Sequence, residues 1–448
     1  MSSSITNSLA TSASTGLGTG IDVQQFVTLA LANDQANITN LQNQQTALNA
    51  QTTALQQITT DLNNLQSAAF ALSDPLGSLA SETATSSNTN VLNATASSAA
   101  QAATHTITVN SLATTSSYYT NAVADGNTAI GTGSFQIQVG SNSPVTITVD
   151  STNDTLSQLA TSITNANAGV RASVITDANG ARLSLVSETT GAPGDINVSN
   201  NTTGLGFTKA VTGSNASLVV DGVPISSTSN TVANVINGVT LNLTSPASTS
   251  PVTLTVAPDT TTAATAINQF VSAYNAAIND INAQFQVNAD GSGGGALEAD
   301  GSLREAQSSL LSAISSSITG NNGIVNLASL GVNLNDDGTL TVDQGTLSTA
   351  LSGNYSAVQN FFQSGTTGFA NSLYTTLSNL TDPTTGALGL DAKGITQSSQ
   401  DLSQQISDLQ AALLIKQQNL TLVYSQVNTT LQELPLLQAQ LSQQLATA

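Results

Sequence analysis

No cysteine and no tryptophan occur in this 448-residue chain, and histidine occurs once, at His105. Without thiols there can be no disulfide, no thiolate nucleophile and no cysteine–zinc site. A single imidazole cannot build a multi-histidine metal centre or a paired acid/base device. Charge is scarce too, at 7% of residues against about 25% in an average soluble domain. Six Lys and Arg face 26 Asp and Glu, for a net charge of −20. That is the wrong sign for a nucleic-acid backbone or an anionic lipid surface. The cations Arg171, Arg182, Lys209, Arg304, Lys393 and Lys416 are scattered, so no basic patch hides in the total. No apolar run approaches the roughly 20 residues of a spanning helix, and membrane insertion is not expected. The opening MSSSITNSLATSAST has neither a charged n-region nor an apolar h-region and does not read as a Sec signal.

What is present is hydroxyl and amide. Ser, Thr, Asn and Gln fill most of what the hydrophobic 39% leaves, and mean hydropathy is +0.06. That apolar content suffices for several cores, so wholesale disorder is excluded. The length suggests about three domains of roughly 150 residues.

Both ends carry a helical seam. Leu41, Leu48, Leu55 and Leu62 recur every seven residues, joined three positions on by Ile58, Leu65 and Leu72. At the far end Leu402, Ile406, Leu409, Leu413, Lys416, Leu420, Val423, Val427, Thr430, Leu434, Leu437, Leu441 and Gln444 step by four and three without interruption. Gln, Asn, Ser and Thr flank both seams, so neither helix is stable without burying its stripe. Narrow seams at opposite chain ends predict a paired coiled-coil leg rather than two helices of one globular core. Pro435, inside the second seam, predicts a kink or break.

Between the ends the period drops to two. HTITV (105–109), SFQIQV (134–139), PVTITVD (144–150), ASLVVDGV (216–223), GVTLNL (238–243) and PVTLTV (251–256) alternate or run β-branched between turn residues. One short helical face, Leu156, Leu159, Ile163 and Ala166, interrupts them and leads into strands around an Asn179-Gly180 turn. After Pro258 the helical period returns with Ile267, Phe270, Val271, Tyr274, Ile278, Ile281 and Phe285 on one face.

No catalytic constellation emerges. GLGTGID lacks the preceding strand of a dinucleotide fingerprint and reads as a hinge. GSGGG (291–295) lacks the Lys and Ser/Thr of a P-loop and reads as a linker. Asn333, Asn335, Asp337 and Gly338 echo a calcium loop, but its twelfth position is Gln344, so an Asp-Gly hairpin is the simpler account. His105 shares a strand face with Ile107 and Val109, as packing histidines do, and no G-x-S-x-G nucleophile motif accompanies it. Asp336 and Asp337 alternate across a strand or sit in a turn, which is poor for acid/base work. Neither an enzyme nor a cofactor is expected.

Four stretches carry a resemblance. GLGTGIDVQQFV (16–27) before a long Gln/Leu-rich helix resembles the start of the flagellar filament cap family, also called hook-associated protein 2. ITNANAGVRASVITDANGARLSLVS, within Leu156 to Ile196, resembles the IN repeat of flagellar hook and cap proteins, although Thr164 separates Ile163 from Asn165. DGVPISSTSNTVANVINGVTLNL (221–243) and SLGVNLNDDGTLTVDQGTLSTALSGNYSAVQNFF (329–362) resemble the family's core strands and its Asp-Gly-Thr-Leu stretch. This chain departs from the resemblance in its legs, which carry Gln, Asn and Thr where the resemblance implies many Lys, Arg and Glu.

The resemblance implies an α+β multi-domain fold, with terminal helices paired as a coiled-coil leg, a helical bundle and two β-rich head domains, one inserted in the other. The expected limits are a tail (1–35), an N-terminal leg helix (36–80), a head domain (81–120 and 211–258), an inserted domain with the IN-type repeat (121–210), a bundle (259–394) and a C-terminal leg helix (395–448). It also implies secretion through the flagellar type III channel and a homo-oligomeric ring, a pentamer by resemblance, on the filament tip. That ring would retain flagellin and promote its folding and insertion. Further implied partners are the hook-associated junction proteins and an export chaperone on the C-terminal helix. The alternatives are a filament-forming or other hook-associated protein, or a tip-exposed adhesin for host surface glycans. Leg pairing and filament docking are assigned to Leu41, Leu48, Leu55, Ile58, Leu62, Leu65, Leu402, Ile406, Leu409, Leu413, Leu420, Val423, Val427, Leu434, Leu437 and Leu441.

Overall fold

The computed structural model describes residues 22–286, 294–365 and 367–446. The GLGTGI glycines and most of GSGGG lie outside the described residues. The chain is α+β, with helical terminal regions around β-rich domains, as expected. It divides into two compact units, one of residues 1–73, 267–347 and 360–448, the other of 74–266 and 348–359.

Eight helices are described: α1 (Val23–Ser73), α2 (Leu156–Asn165), α3 (Thr260–Phe285), α4 (Gly301–Ile314), α5 (Gln344–Gly353), α6 (Tyr355–Gln363), α7 (Phe369–Thr381) and α8 (Ala387–Ala446). In the first unit, the buried stripe Phe270, Tyr274, Ile278 and Ile281 of α3 follows the helical period. Phe369 of α7 stacks on Phe361 at 5.2 Å and meets Phe270 edge-on at 5.8 Å. The Tyr274 hydroxyl donates to Gly338 O at 3.0 Å, and burial pushes its phenol up to about 12. Gly338 has φ +82° and closes a hairpin between Val332–Leu334 and Leu340–Val342. There Asp337 accepts from the Thr339 N–H and hydroxyl, and those bonds hold its carboxyl below the usual range. Asp300 caps α4, accepting from Leu303 N at 2.9 Å.

The long helices hold few ions. Along α1 the hydroxyls of Thr39, Thr46, Thr53 and Thr60 each donate to the carbonyl four residues back. A polar face satisfied by its own backbone needs no charge to stay wet. Helix α8 continues through Pro435, so the expected break does not occur. Proline removes one main-chain bond there, but the position is exposed and water can reach the freed carbonyl.

The second unit contains two sheet pairs. A five-stranded antiparallel sheet runs in the order Glu82–Ser86, Val252–Pro258, Ala103–Ser111, Ala216–Val220, Val223–Ser227. Its core, with Ile107, Val109, Leu218 and Leu254, also takes in Leu92 and Leu241 from the three-stranded sheet Thr231–Ile236, Val239–Leu243, Leu92–Ala96. Alternating burial along Ala216–Val220 is the period-two signature of a sheet with one covered face. His105 Nδ1 lies 2.7 Å from Asp221 Oδ2, and Thr106 N donates to the same carboxylate. These bonds hold the Asp221 carboxyl below its usual range.

The second pair is the four-stranded sheet Phe207–Val211, Thr115–Thr120, Gly180–Thr190, Val170–Asp177 and the three-stranded sheet Val145–Val149, Gly133–Val139, Ile196–Ser199. Helix α2 begins where the Thr155 hydroxyl accepts from Gln158 N and buries Leu156, Leu159 and Ile163. These join Phe135, Ile137, Leu183 and Leu185 in a separate core. The chain crosses between the two cores at Thr114 and Ser214, where Thr114 N donates to Ser214 O at 2.9 Å.

Candidate docking surface: the paired terminal helices

Helices α1 and α8 run antiparallel, and three contacts fix their register. Phe26 and Tyr424 place ring centroids 5.8 Å apart. Lys416 Nζ lies 2.6 Å from Asp34 Oδ2, and the Ser399 hydroxyl 3.3 Å from Asn49 Oδ1. As the contacts advance along α1 from Phe26 to Asp34 to Asn49, their partners recede along α8 from Tyr424 to Lys416 to Ser399.

Between these contacts lies the apolar seam. Ile38, Leu402 and Ile406 are buried together, with Leu41, Leu48 and Leu413 packed around them. Leu55, Ile58, Leu62 and Leu65 are also buried. Leu420 is half-buried and Leu409 exposed. Val423, Val427, Leu434, Leu437 and Leu441 are 43–61% exposed. The structure thus brings together the N-terminal residues of the seam and the first half of its C-terminal strip. The second half faces solvent.

Sequence reasoning missed a further stripe. Ile415, Leu422 and Leu436 are all exposed and lie at multiples of seven from one another. The same heptad count that found the first seam would have found them. A groove of about 590 Å³ runs along the pair, lined by Val27, Thr28, Leu31, Gln35, Leu413 and Gln417 among others. Its chemistry is apolar with amide and hydroxyl edges, suited to another helix of like composition.

Among the described residues no group of three or more His, Asp or Glu could hold a metal, and no helix is long and apolar enough to cross a membrane. What this surface offers is area.

The Lys416–Asp34 pair is partly exposed, and such pairs contribute only about 0–1 kcal/mol. In a seam of repeated Leu, Gln and Thr it can still decide register, as isolated polar contacts do in coiled coils. Cysteines at positions 49 and 399 should cross-link readily in this cysteine-free chain. Lys416→Asp should lower that yield several-fold, and adding Asp34→Lys should restore it. Equal yields in all three proteins would show that packing alone sets the register.

Residues 19–116 match the family described as Flagellar hook-associated protein 2 N-terminus, and residues 213–435 its C-terminus. Residues 134–189 match the Flagellin hook IN motif. The B-type flagellar hook-associated protein 2 of Pseudomonas aeruginosa is 32% identical over 368 residues, 74% of this chain and 77% of that protein. Flagellar hook-associated protein 2 of Escherichia coli K12 is 30% identical over 326 residues, 66% of this chain and 68% of that one. The crystal structure of the flagellar cap protein FliD D1-D2-D3 domains from Escherichia coli is similar at a TM-score of 0.58 and 30% identity, covering 77% of this chain and 99% of its own. An α+β protein with helical terminal regions, β-rich domains and this order of matches is a structural subunit of the flagellum. The chain belongs to the flagellar hook-associated protein 2 family.

Proposed function

We propose that this protein caps the distal end of the flagellar filament as a homo-oligomeric ring, by family resemblance a pentamer. The ring retains exported flagellin and promotes its folding and insertion. The observation that carries this reading is the exposed apolar strip of α8, Val423 to Leu441, beyond the part of the seam that α1 covers. A run of large apolar side chains left in water marks a surface meant for a partner. Family membership supports the filament end, of flagellin and hook-associated junction proteins, as that partner. Export through the flagellar type III channel, with a chaperone shielding the C-terminal helix, fits the same exposed strip. The protein performs no chemistry in this role.

The proposed domains are the leg helices (36–80 and 395–448), the bundle (259–394), the head domain (81–120 and 211–258) and the domain inserted in it (121–210). The separate apolar cores on either side of the Thr114–Ser214 crossing support the nesting. Exposure of the β domains at the tip would suit adhesion to host surface glycans as a second role.

Electron microscopy of the purified protein, alone and mixed with filaments, tests the main reading. Rings, and decoration of filament ends only, are expected. Growth of the protein into filaments of its own, or binding along filament sides, would overturn it.

A further inference from the structure

Two carboxyl–carboxyl contacts join the terminal helices to the rest of the helical unit. Asp61 of α1 is only 8% exposed and shares a side-chain hydrogen bond with Asp280 of α3. Gln57 Nε2 donates to Asp61 Oδ2 at 3.0 Å. On α8, Asp391 hydrogen-bonds Asp300, the residue that caps α4. Asp391 Oδ2 is buried, and no N–H or hydroxyl donor reaches it. An ionised carboxylate only accepts hydrogen bonds, so two ionised ones cannot bond each other. Each pair closes only with a proton between its oxygens.

Among the described residues no cation offsets either pair. The groups acting on Asp280 are Asp61 and Gln57, and the one acting on Asp391 is Asp300. Helix α7, packed on both α1 and α8, has Tyr374 as its one titratable group. Among the neighbours on α4, Arg304 donates to Glu298 O and lies over the Phe285 ring; Glu305 is acidic. Lys393 of α8 acts on Asp382. On the far side of α3, Asn282 binds the hairpin at Asp337 O, and the Asp337 carboxylate is held by Thr339.

We propose that these two pairs form a proton-operated latch at the roots of both terminal helices, clamping them to the helical unit when protonated and freeing them when ionised. The coincidence carries the argument: in each pair one member sits on a long terminal helix, Asp61 on α1 and Asp391 in the first turns of α8, and the other on α3 or at the start of α4. The titration runs the right way. Burial first, then the facing carboxyl, raises Asp391 to about 6 and pushes Asp280 up from its usual value. Groups raised on folding stabilise fully below the ordinary carboxylate range, near 4, and that contribution is lost as pH rises through the raised value, about 6 for Asp391. The latch therefore closes towards acid and opens as pH rises, the Asp391–Asp300 pair opening through about 6. It is a property of the chain itself and does not depend on the cap reading.

Hydrogen exchange on the full chain at pH 5 and pH 7.5, corrected for intrinsic rates, tests it. In segment 387–402 the opening equilibrium should rise about tenfold at the higher pH, roughly one unit of linkage after discounting for solvent screening, and in segment 55–72 it should rise in the same direction. Segment 236–256, in the β region, should not change. Asp280→Asn with Asp391→Asn supplies a permanent amide donor to each partner, so the double variant should stay closed at both pH values, within twofold. If it folds poorly, Asp391→Asn alone should flatten segment 387–402 only. A wild type that does not respond to pH, a variant that keeps the tenfold response, or a β region that opens in parallel would each overturn the latch.

Discussion

A chain ending just before Thr421 should fold as the full-length protein does and fail to hold a filament end. The deletion removes Leu422, Val423, Val427, Leu434, Leu436, Leu437 and Leu441, all exposed. Taking them away leaves no cavity. The buried seam of Ile38, Leu402 and Ile406 stays. Phe26 of α1 gives up its ring partner Tyr424, which goes with the deleted segment. In docking the same side chains would pass from water into contact, each worth about 1.5–3 kcal/mol when fully buried. Even a fraction of that sum decides a binding equilibrium. Circular dichroism and thermal melting should match the parent within a few degrees. Cells making the truncated protein should grow short filaments and leak flagellin into the medium. Full-length filaments from such cells would remove the α8 strip from the docking account.

Replacing residues 115–213 by an Asn-Gly link should leave a protein whose remaining core is intact. The cut follows hydrogen bonding. Strand Thr115–Thr120 pairs with Phe207–Val211 on one side and Gly180–Thr190 on the other, all inside the part removed. Thr114 and Ser214 are opposite one another across an antiparallel bridge, and their hydroxyl oxygens are 2.8 Å apart. A two-residue hairpin turn spans such a gap. Ile107, Val109, Leu218, Leu241 and Leu254 all remain. A cooperative melt, and rings still visible by microscopy, are the expected results. A molten product lacking a sharp transition would mean that the two cores depend on each other, and the nested arrangement would fail as an account of folding.

The heptad of leucines was legible, and so was the switch to period two, because burial on one face writes itself into spacing. How far the seam stays covered was not. Stepping by four and three assumes 3.5 residues per turn, whereas a straight helix has 3.6 and drifts about 20° per heptad. Over α8 the covered face accordingly moves from Leu402, Ile406 and Leu413 to Leu420 and Tyr424, and Val423 turns outward. The hairpin at Asp337-Gly338 could be read locally, since it needs only a turn residue and a left-handed glycine. The carboxyl pairs could not. Asp61 and Asp280 lie in different helices, and nothing within a few residues of either announces the other. The sequence also made His105 a packing residue of its strand, while its bond to Asp221 depends on a hairpin more than a hundred residues away.

The antiparallel pairing of the chain's two ends also bears on the order of folding. The contact between Asp34 and Lys416 closes a loop of 382 residues. In a flexible chain that closure costs about 5 kcal/mol of entropy beyond a constant term. No single contact on this seam offsets it. Once the β cores and the bundle have formed, the same two residues are separated by rigid bodies rather than by random chain, and the remaining search is short. Helix pairing should thus be the last event. It cannot begin until residues near 400 exist, so α1 spends the whole of synthesis without its partner.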